Sequence, residues 1–439
     1  MLRLLLESVN AIVWGIPTLF FFAGGGILFT VRLRGIQFCG FGRAFRAIFA
    51  DLRRTDGNGG FSAASALLTS LGAVMGPGNL IGVSSAILIG GSGAVFWMWV
   101  SAWLGMAMRY VESVLSVLHR RKDETGNFGG PMYVMRDRGW RRTAAVFAAA
   151  GVLLSLTMAN ALPSGAVGSL LRENYRVSPW ISGSLLGLFA AATVFGGGRR
   201  IARVSEVLVP CVCLFFIGAS AWVMISNPSE FCTAFGRIFC DAFSLRAGIG
   251  GLLGTTVRFG LARGIYSNEA GMGTEPILAA ATEETNACRQ GLISMTGPFL
   301  DTVVFCSFTA LIVIMAGDLP GIGAAAMVSA AFSRFLPGCG AFIAAATLVL
   351  LVLATLASWA YYGEACLRYF TPSHRLRTAY RLVYSLLPVV GAGADLSVLF
   401  SINDLLMACM AIPNLVLCLR SLGEVRQVSE FPGKNKLRR

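Results

Sequence analysis

Eleven apolar segments, each long enough to form a membrane-spanning helix, dominate this chain. They lie at 11–31, 62–90, 94–118, 144–171, 179–197, 202–226, 244–264, 290–316, 339–366, 379–394 and 396–419. A span needs about 20 mostly apolar residues, because the hydrocarbon core of a bilayer is about 30 Å thick. With 55% hydrophobic and 13% charged residues, the chain has too little polar surface to coat a soluble globule. The sequence therefore predicts an all-α polytopic membrane protein with about eleven transmembrane helices.

Loops that are rich in basic residues alternate along the chain with loops that are poor in them. The loops after segments one, three, five and nine and the C-terminal tail are rich in arginine and lysine, whereas the intervening loops carry only Arg172, Arg176, Arg237, Arg246 and Arg334. The positive-inside rule then predicts an external N-terminus and a cytoplasmic C-terminus in a bacterial-type cytoplasmic (inner) membrane. Loops that face anionic lipid explain the net charge of +14 better than nucleic acid does. No cleavable signal peptide is expected, since the first apolar run lacks a small-residue cleavage site.

Two glycine-broken segments, at 70–79 and 248–254, occupy matching places in the two halves of the chain. If the first span is set aside, ten spans form two groups of five, and the odd number inverts the second group relative to the first. Paired broken helices in inverted repeats are typical of transporter substrate sites, although glycines also serve close helix packing. The predicted parts of this single transporter domain are an extra N-terminal span and cytoplasmic linker (11–61), a first repeat (62–226), an inverted second repeat (244–419) and a basic cytoplasmic tail (420–439).

Several strings closely resemble the alanine or glycine:cation symporter family. They include Gly76-Pro-Gly-Asn-Leu-Ile-Gly-Val83, Gly91-Ser-Gly-Ala-Val-Phe-Trp-Met-Trp99, Gly129-Gly-Pro-Met-Tyr133, Ser267-Asn-Glu-Ala-Gly271 and Trp359-Ala-Tyr-Tyr-Gly-Glu364. The resemblance covers nearly the whole chain. It implies a leucine-transporter-like fold, a five-plus-five inverted repeat, and uptake of a small neutral amino acid driven by sodium or, in some members, by protons.

An amino-acid zwitterion needs hydrogen-bond donors for its carboxylate and acceptors for its ammonium group. A broken helix supplies both, as free N–H groups with a positive dipole end and as free carbonyls. The predicted substrate ligands at the two breaks are Gly76, Gly78 and Asn79 in the first and Gly251, Gly254 and Thr255 in the second.

A coupling cation needs oxygen ligands, which the unwound carbonyls near Gly72 and Met75 can provide. By resemblance, Thr355 adds a hydroxyl, and Trp359, one helical turn further, forms a wall that limits the substrate side chain. Asn160 matches the position of a family glutamine in the substrate pocket. Alternative roles are structural hydrogen bonding between helices for Asn160 and an ordinary lipid-facing or interfacial position for Trp359.

Three residues depart from the family pattern. Pro77 replaces a threonine or serine and removes both a hydroxyl and an N–H, although proline is tolerated as the first residue of a half-helix. Asn160 is one methylene shorter than the usual glutamine, and Ala354 replaces a hydroxyl residue beside Thr355. These departures leave open whether the coupling ion is Na⁺ or H⁺.

Few charged residues lie inside the spans. Arg109 and Glu112 are one turn apart and are expected to form a structural ion pair or to snorkel, and Glu269 is expected to cap the next helix or to join a cytoplasmic gate. Asp301 and Asp404 lie deeper, where each is either a proton acceptor or a hydrogen-bonded structural carboxylate.

Cys232 and Cys240 share one outward connection, where a disulfide is one possibility in an oxidising exterior. The other cysteines show no metal-binding spacing. No cofactor and no metal beyond the coupling cation are expected.

The sequence thus favours a secondary symporter that imports a small neutral amino acid, alanine, glycine or D-alanine, coupled to sodium by alternating access. The alternatives are a proton-coupled symporter and an uncoupled facilitator. An intramembrane enzyme is disfavoured, because Asp301 and Asp404 lack a recognisable catalytic context. The expected partners are the amino acid and membrane lipid, with no nucleic acid and no obligate protein partner.

Overall fold

The protein is a bundle of helices with one short β-hairpin, seen in a computed structural model. The structure describes residues 9–10, 13–52, 61–124, 126–243, 254–317, 319, 321–394 and 397–429. The helices are α1 (Ile16–Arg32), α2 (Ile36–Cys39), α3 (Phe41–Leu52), α4 (Ala63–Val74), α5 (Gly78–Gly90), α6 (Ala94–Leu118), α7 (Pro131–Asp137), α8 (Arg141–Tyr175), α9 (Pro179–Val194), α10 (Gly197–Ser226), α11 (Pro228–Ala242), α12 (Thr255–Asn268), α13 (Glu275–Ala281), α14 (Ala287–Met315), α15 (Ala324–Phe335), α16 (Gly340–Phe370), α17 (His374–Gly391) and α18 (Ser397–Ser429). Strands β1 (Arg121–Asp123) and β2 (Gly126–Phe128) pair antiparallel.

Five helices in the described part of the chain, α8, α10, α14, α16 and α18, are long and apolar enough to cross a membrane. The pair α4 and α5, bent by 60° at the break between them, makes a sixth candidate span. The shorter apolar helices α1 and α9 coincide with the predicted segments 11–31 and 179–197. The count of eleven spans remains a prediction.

Small residues bring α6 and α12 into close contact along their length. A Cβ atom added at Gly260 would lie 2.4 Å from the carbonyl oxygen of Ala94, and one at Gly264 would lie 1.9 Å from Oγ of Ser101. Further along α6, the Ser116 hydroxyl donates to the carbonyl of Pro276 in α13 at 2.7 Å. Helices α12 and α13 therefore run parallel to α6, one after the other, with residues 269–274 as a non-helical interruption between them.

The predicted second break, at 248–254, lies almost entirely outside the described part of the chain. The described residues show that α12 runs unbroken from Thr255 to Asn268 and that an interruption the sequence did not predict follows it. Residues 244–253, including Gly251, lie outside the described part of the chain. α12 ends where Glu269 adopts a left-handed conformation with a φ of 50°, and Gly271 and Gly273 further along the interruption also have positive φ.

The possible disulfide between Cys232 and Cys240 is wrong. Both cysteines lie on α11 and are free. Eight residues along a helix correspond to about 12 Å, whereas the Cα atoms of a disulfide lie about 4.4–6.8 Å apart.

Candidate functional site

The first break lies at residues 75–77, between α4 and α5. Pro77 has no N–H and so cannot donate to the carbonyl of Ala73, the residue four positions earlier. The indole N–H of Trp359, on α16, donates to that carbonyl instead, at 3.2 Å. Trp359 is fully buried, and its ring packs edge-on against that of Tyr362. The structure therefore places the predicted pocket wall directly at the break.

The side chains of Asn79 and Thr355 form hydrogen bonds with the other backbone groups at the break. Oδ1 of Asn79 accepts a long hydrogen bond of 3.4 Å from the N–H of Gly76, and the Thr355 hydroxyl lies 3.2 Å from the carbonyl oxygen of Met75. A Cβ atom at Gly76 would lie 3.2 Å from the same hydroxyl oxygen, so a larger residue there would crowd Thr355. The predicted residues Gly76, Asn79, Met75 and Thr355 thus come together.

A second hydroxyl lies one turn along α16 from Thr355. A Cβ atom at Gly72 would come within 2.7 Å of Oγ of Ser358, and Ser358 lies 3.3 Å from the hydroxyl of Ser205 on α10. Both serines are fully buried. Ser358 thus puts a hydroxyl beside the break although Ala354 lacks one. The three-residue spacing from Thr355 is the sequence signal that could have identified it.

Asp301, on α14, joins the two broken helices. Its carboxylate accepts hydrogen bonds from the Asn79 amide at 2.5 Å, from the Ser267 hydroxyl at 2.7 Å and from the Thr302 hydroxyl at 2.9 Å. Asn79 follows the first break, and Ser267 lies in the last turn of α12, before the second interruption. Asp301 therefore links the two broken helices through direct hydrogen bonds.

No basic side chain among the described residues forms a salt bridge with Asp301, although the guanidinium of Arg109 acts on its charge from a greater distance. Asp301 is also fully buried. A buried anion without a directly contacting cation is unfavourable unless it is neutralised by a proton or an ion. Two roles were predicted for Asp301 from the sequence, but its contact with both broken helices was not.

The second interruption is surrounded by charged residues. Arg109 donates to the carbonyl of Asn268, the last residue of α12, and is buried with Glu112, Glu269 and Glu275. A guanidinium at a helix C-terminus complements the negative end of the helix dipole. Arg109 and Glu112 do not form the predicted ion pair in the described part of the chain, because their side chains turn to other partners.

The carboxylates around Arg109 have polar partners of their own. Glu112 accepts a hydrogen bond from the Asn414 amide, which also donates to the carbonyl of Gly271 at 2.9 Å. Glu269 accepts from the hydroxyl of Thr274, the residue that precedes α13, at 3.0 Å. Glu269 thus contacts the side chain of the residue before α13, but no side-chain hydrogen bond caps that helix, so the predicted roles of Glu269 as a cap or in a gate stay predictions.

Asn160 lies in a wide helical turn of α8, residues 157–161. Its amide nitrogen donates to the carbonyl of Tyr384 at 2.8 Å, and the Tyr384 hydroxyl donates to the carbonyl of Leu356 at 2.8 Å. Asn160 thus binds α17 and is linked to the helix that carries Thr355 and Trp359. Its Oδ1 atom is buried and has no hydrogen-bond partner among the described residues, so it can accept one further donor.

Gly254 and Thr255 are not brought to the first break. Thr255 is exposed at the start of α12, where its neighbour Thr256 faces Gly90 at the end of α5. Gly90 is twelve residues from Gly78, a distance of about 18 Å along a helix. Gly78 itself begins α5 at the break. Gly254 and Thr255 therefore lie away from the first break, and their assignment to the substrate site stays a prediction.

The spaces on the two sides of the site differ in volume. A cavity of about 460 Å³ between α1, α3, α14 and α18 lies away from the breaks, whereas one of about 620 Å³ reaches Ile81, two residues past Asn79. The latter is bounded by α8, α15 and α16 and opens on the side predicted to be external. Beside the β-hairpin, a pocket lined by Phe128, Tyr361 and Arg368 holds only about 70 Å³. Of these three cavities, the one on the predicted outer side comes nearest in the chain to the first break.

Ion pairs fasten the side of the protein that carries the hairpin. Arg381 binds Glu364 through two hydrogen bonds of 2.7 and 2.8 Å, and Arg368 pairs with Asp123 in β1. Arg120 donates to the carbonyl of Glu284 at 2.6 Å. These contacts tie α16, α17 and the hairpin to the end of α6.

Comparison with known proteins decides the family. The sequence profile of the sodium:alanine symporter family matches residues 1–435. The chain belongs to this family. The sodium/alanine symporter AgcS of Methanococcus maripaludis is 37% identical over 446 residues, covering 99% of this chain and 98% of AgcS. The protein is therefore a multi-pass, cation-coupled amino-acid symporter and not an enzyme.

Solved structures confirm the leucine-transporter-like fold. MhsT in complex with L-phenylalanine superimposes with a TM-score of 0.59 at 14% identity, covering 87% of this chain and 95% of MhsT. A substrate-bound, outward-open Na⁺-coupled sialic acid symporter gives a TM-score of 0.55 at 12% identity, covering 92% of this chain and 85% of that protein. The predicted all-α, leucine-transporter-like fold class is therefore confirmed, whereas the exact number of helices is not.

Proposed function

We propose that this symporter imports a small neutral amino acid, with alanine as the first candidate, coupled to inward movement of Na⁺ across the cytoplasmic membrane. The substrate and ion bind between the two broken helices, in the first repeat (62–226) and the inverted second repeat (244–419). The observation that carries the proposal is Asp301, a buried carboxylate that contacts Asn79 on one broken helix and Ser267 on the other. A cation at this junction would compensate the buried charge.

Two groups of oxygen atoms support sodium as the coupling ion. The first contains the carbonyls at Gly72 and Met75 with the hydroxyls of Thr355 and Ser358. The second contains the Asp301 carboxylate with the hydroxyls of Ser267 and Thr302. Hard cations prefer such oxygen ligands. Position 354 holds an alanine, which has no hydroxyl. In the first group, the hydroxyl of Ser358 takes the place of the missing one.

The side chains around the first break support a small substrate. Gly76, Gly78 and Asn79 lie at the first break, and the buried Trp359 ring fills the space beside them. The free acceptor Oδ1 of Asn160 suits an ammonium group. AgcS, which is 37% identical, is named as a sodium/alanine symporter, and this favours alanine.

Proton coupling is the second candidate, and Asp301 is the observation that favours it, because the same carboxylate could bind H⁺ in place of Na⁺. Proteoliposomes that contain the purified protein and take up labelled alanine distinguish the two. Accumulation driven by an inward sodium gradient at equal pH supports sodium coupling, and accumulation driven only by a proton gradient supports the second candidate. Equilibration that ignores both gradients would contradict symport and indicate a facilitator.

The pocket wall has its own test. We expect Trp359→Ala to enlarge the site, so that uptake of labelled serine or valine rises relative to alanine while the protein still folds. The measurement is competition of unlabelled amino acids against labelled alanine. An unchanged order of competition in a variant that elutes as a single species in size-exclusion chromatography would show that Trp359 does not line the pocket.

A further inference from the structure

A basic cavity lies away from the proposed transport site, on the side predicted to be cytoplasmic. It has a volume of about 460 Å³ between α1, α3, α14 and α18. Five arginines line it, Arg32, Arg34, Arg43, Arg289 and Arg426, and the described lining residues include no aspartate or glutamate. Arg289 is paired with Glu284 at 2.6 Å, so the inference is built on the first three.

Arg34 occupies a costly backbone conformation at the edge of this cavity. Its φ is 55°, in the left-handed region, which glycine or asparagine adopts at lower cost. The next residue, Gly35, also has a positive φ. The chain thus turns sharply between Arg32 and Arg43 while keeping an arginine at the turn, which directs three guanidinium-bearing residues to one cavity.

The wall and floor of the cavity are built from buried and half-buried groups. The buried Leu33 and Ile36 and the half-buried Leu292 supply apolar surface, and the Tyr110 hydroxyl is hydrogen-bonded to Ser429 at 2.9 Å. The cavity is therefore a bounded site that is basic at its rim and apolar below.

Exposed apolar side chains continue from the cavity along α1. Ile27 and Val31, one turn apart, are 53% and 68% exposed, and Phe38 on α2 is 60% exposed. Arginines followed immediately by a lipid-facing apolar surface match a molecule with a phosphate headgroup and acyl chains. Basic pockets between spans on the cytoplasmic side are suited to such headgroups.

We propose that this cavity binds the headgroup of an anionic phospholipid of the inner leaflet, with the phosphate between Arg32, Arg34 and Arg43 and the acyl chains along Ile27 and Val31. Charge argues against the C-terminal tail as the occupant. The sequence after Ser429 contains Lys434, Lys436, Arg438 and Arg439 but only one acidic residue, so it is repelled by the arginines and adds attraction for an anionic lipid.

The test is lipid binding to the purified full-length protein, measured by native mass spectrometry and by thermal stability in detergent. The probes are phosphatidylglycerol, cardiolipin, phosphatidylcholine and inorganic phosphate. The wild type is expected to retain and be stabilised by the two anionic lipids. The combined variant Arg32→Gln, Arg34→Gln and Arg43→Gln is expected to bind them at least about tenfold more weakly, because each arginine contributes to headgroup attraction.

The matched control is Arg141→Gln, Arg142→Gln and Arg375→Gln, which removes three exposed arginines from the same predicted side but outside the cavity. This control is expected to bind like the wild type. Equal loss in both triple variants would mean a general charge effect and would overturn the proposal. Stabilisation by inorganic phosphate alone would identify a phosphate site, and equal binding of phosphatidylcholine would exclude headgroup recognition.

Discussion

The two helix interruptions are held open by different chemistry. At the first, neutral groups satisfy the backbone: the Trp359 indole bonds the carbonyl of Ala73, and Thr355 lies beside that of Met75. At the second, the Arg109 guanidinium bonds the carbonyl of Asn268 among three buried glutamates. Both breaks solve the same problem, since backbone groups in a membrane must find partners.

The difference between neutral and charged partners indicates that the two breaks have different roles. Neutral hydrogen bonds contribute about 0.5–1.5 kcal/mol each, so a substrate or ion can replace them at small cost. Buried charged groups are much more costly to separate, at about 3–5 kcal/mol for removal of one partner. We therefore infer that the first break exchanges its contacts for ligands while the second holds α12 and α13 in position.

The largest effect is expected from Arg109→Leu. The change leaves Glu112, Glu269 and Glu275 buried without their shared guanidinium, at a cost of about 3–5 kcal/mol. The measurement is the melting temperature in detergent together with the fraction that elutes as folded protein. Arg109→Lys, which keeps the charge, is expected to lose less stability. If the leucine variant melted like the wild type, charge would not hold the second break.

A smaller effect tests the first break. Trp359→Phe keeps a ring but removes the N–H donor, which leaves the Ala73 carbonyl unsatisfied at a cost of about 1–3 kcal/mol. Pro77→Ala restores an N–H at the position that would bond this carbonyl in a continuous helix. We expect the stability loss from Trp359→Phe to be smaller in the Pro77→Ala background. Strict additivity in this double-mutant cycle would mean that the indole does not replace the missing proline donor.

The smallest effect is expected at Ser358. Ser358→Ala removes one hydroxyl oxygen beside Gly72. We expect the sodium concentration for half-maximal alanine uptake to rise about two- to tenfold, because this ratio corresponds to the free energy of about one hydrogen bond. The control is Ser220→Ala, which removes the hydroxyl of a buried serine on α10 and is expected to leave this sodium concentration unchanged. Equal values for both variants would remove Ser358 from the ion site.

The sequence predicted the fold class and the first break, but not the second break or the ring of charges around it. Hydropathy and glycine clusters indicate where helices can exist and open, so Gly76 to Asn79 could be located. The string from Ser267 to Gly273 contains the second interruption, but its polar residues place it after the end of the predicted span 244–264. Hydropathy alone therefore excluded it, although the family string covered the same residues.

Contacts between distant helices were beyond the sequence. Nothing in the spacing of Asn79, Ser267 and Asp301 indicates that they meet, because the contact arises from the packing of three separate helices. The same holds for Arg109 and Asn268, which are 159 positions apart. Ser358 was not among the predicted site residues either, although its position one turn from Thr355 follows from helical geometry and is visible in the sequence.

The proposed cation site at the junction between the two broken helices is tested by measuring sodium-dependent alanine uptake into proteoliposomes that contain the Asp301→Asn variant. The substitution keeps the shape of the side chain and removes its charge, and Asp404→Asn, which alters a carboxylate outside the cluster, is the matched control. If Asp301 compensates the coupling cation, half-maximal uptake in the folded Asp301→Asn protein requires at least about tenfold more sodium, or uptake is lost, while the control behaves like the wild type. An unchanged sodium dependence in Asp301→Asn would contradict a cation site at this junction.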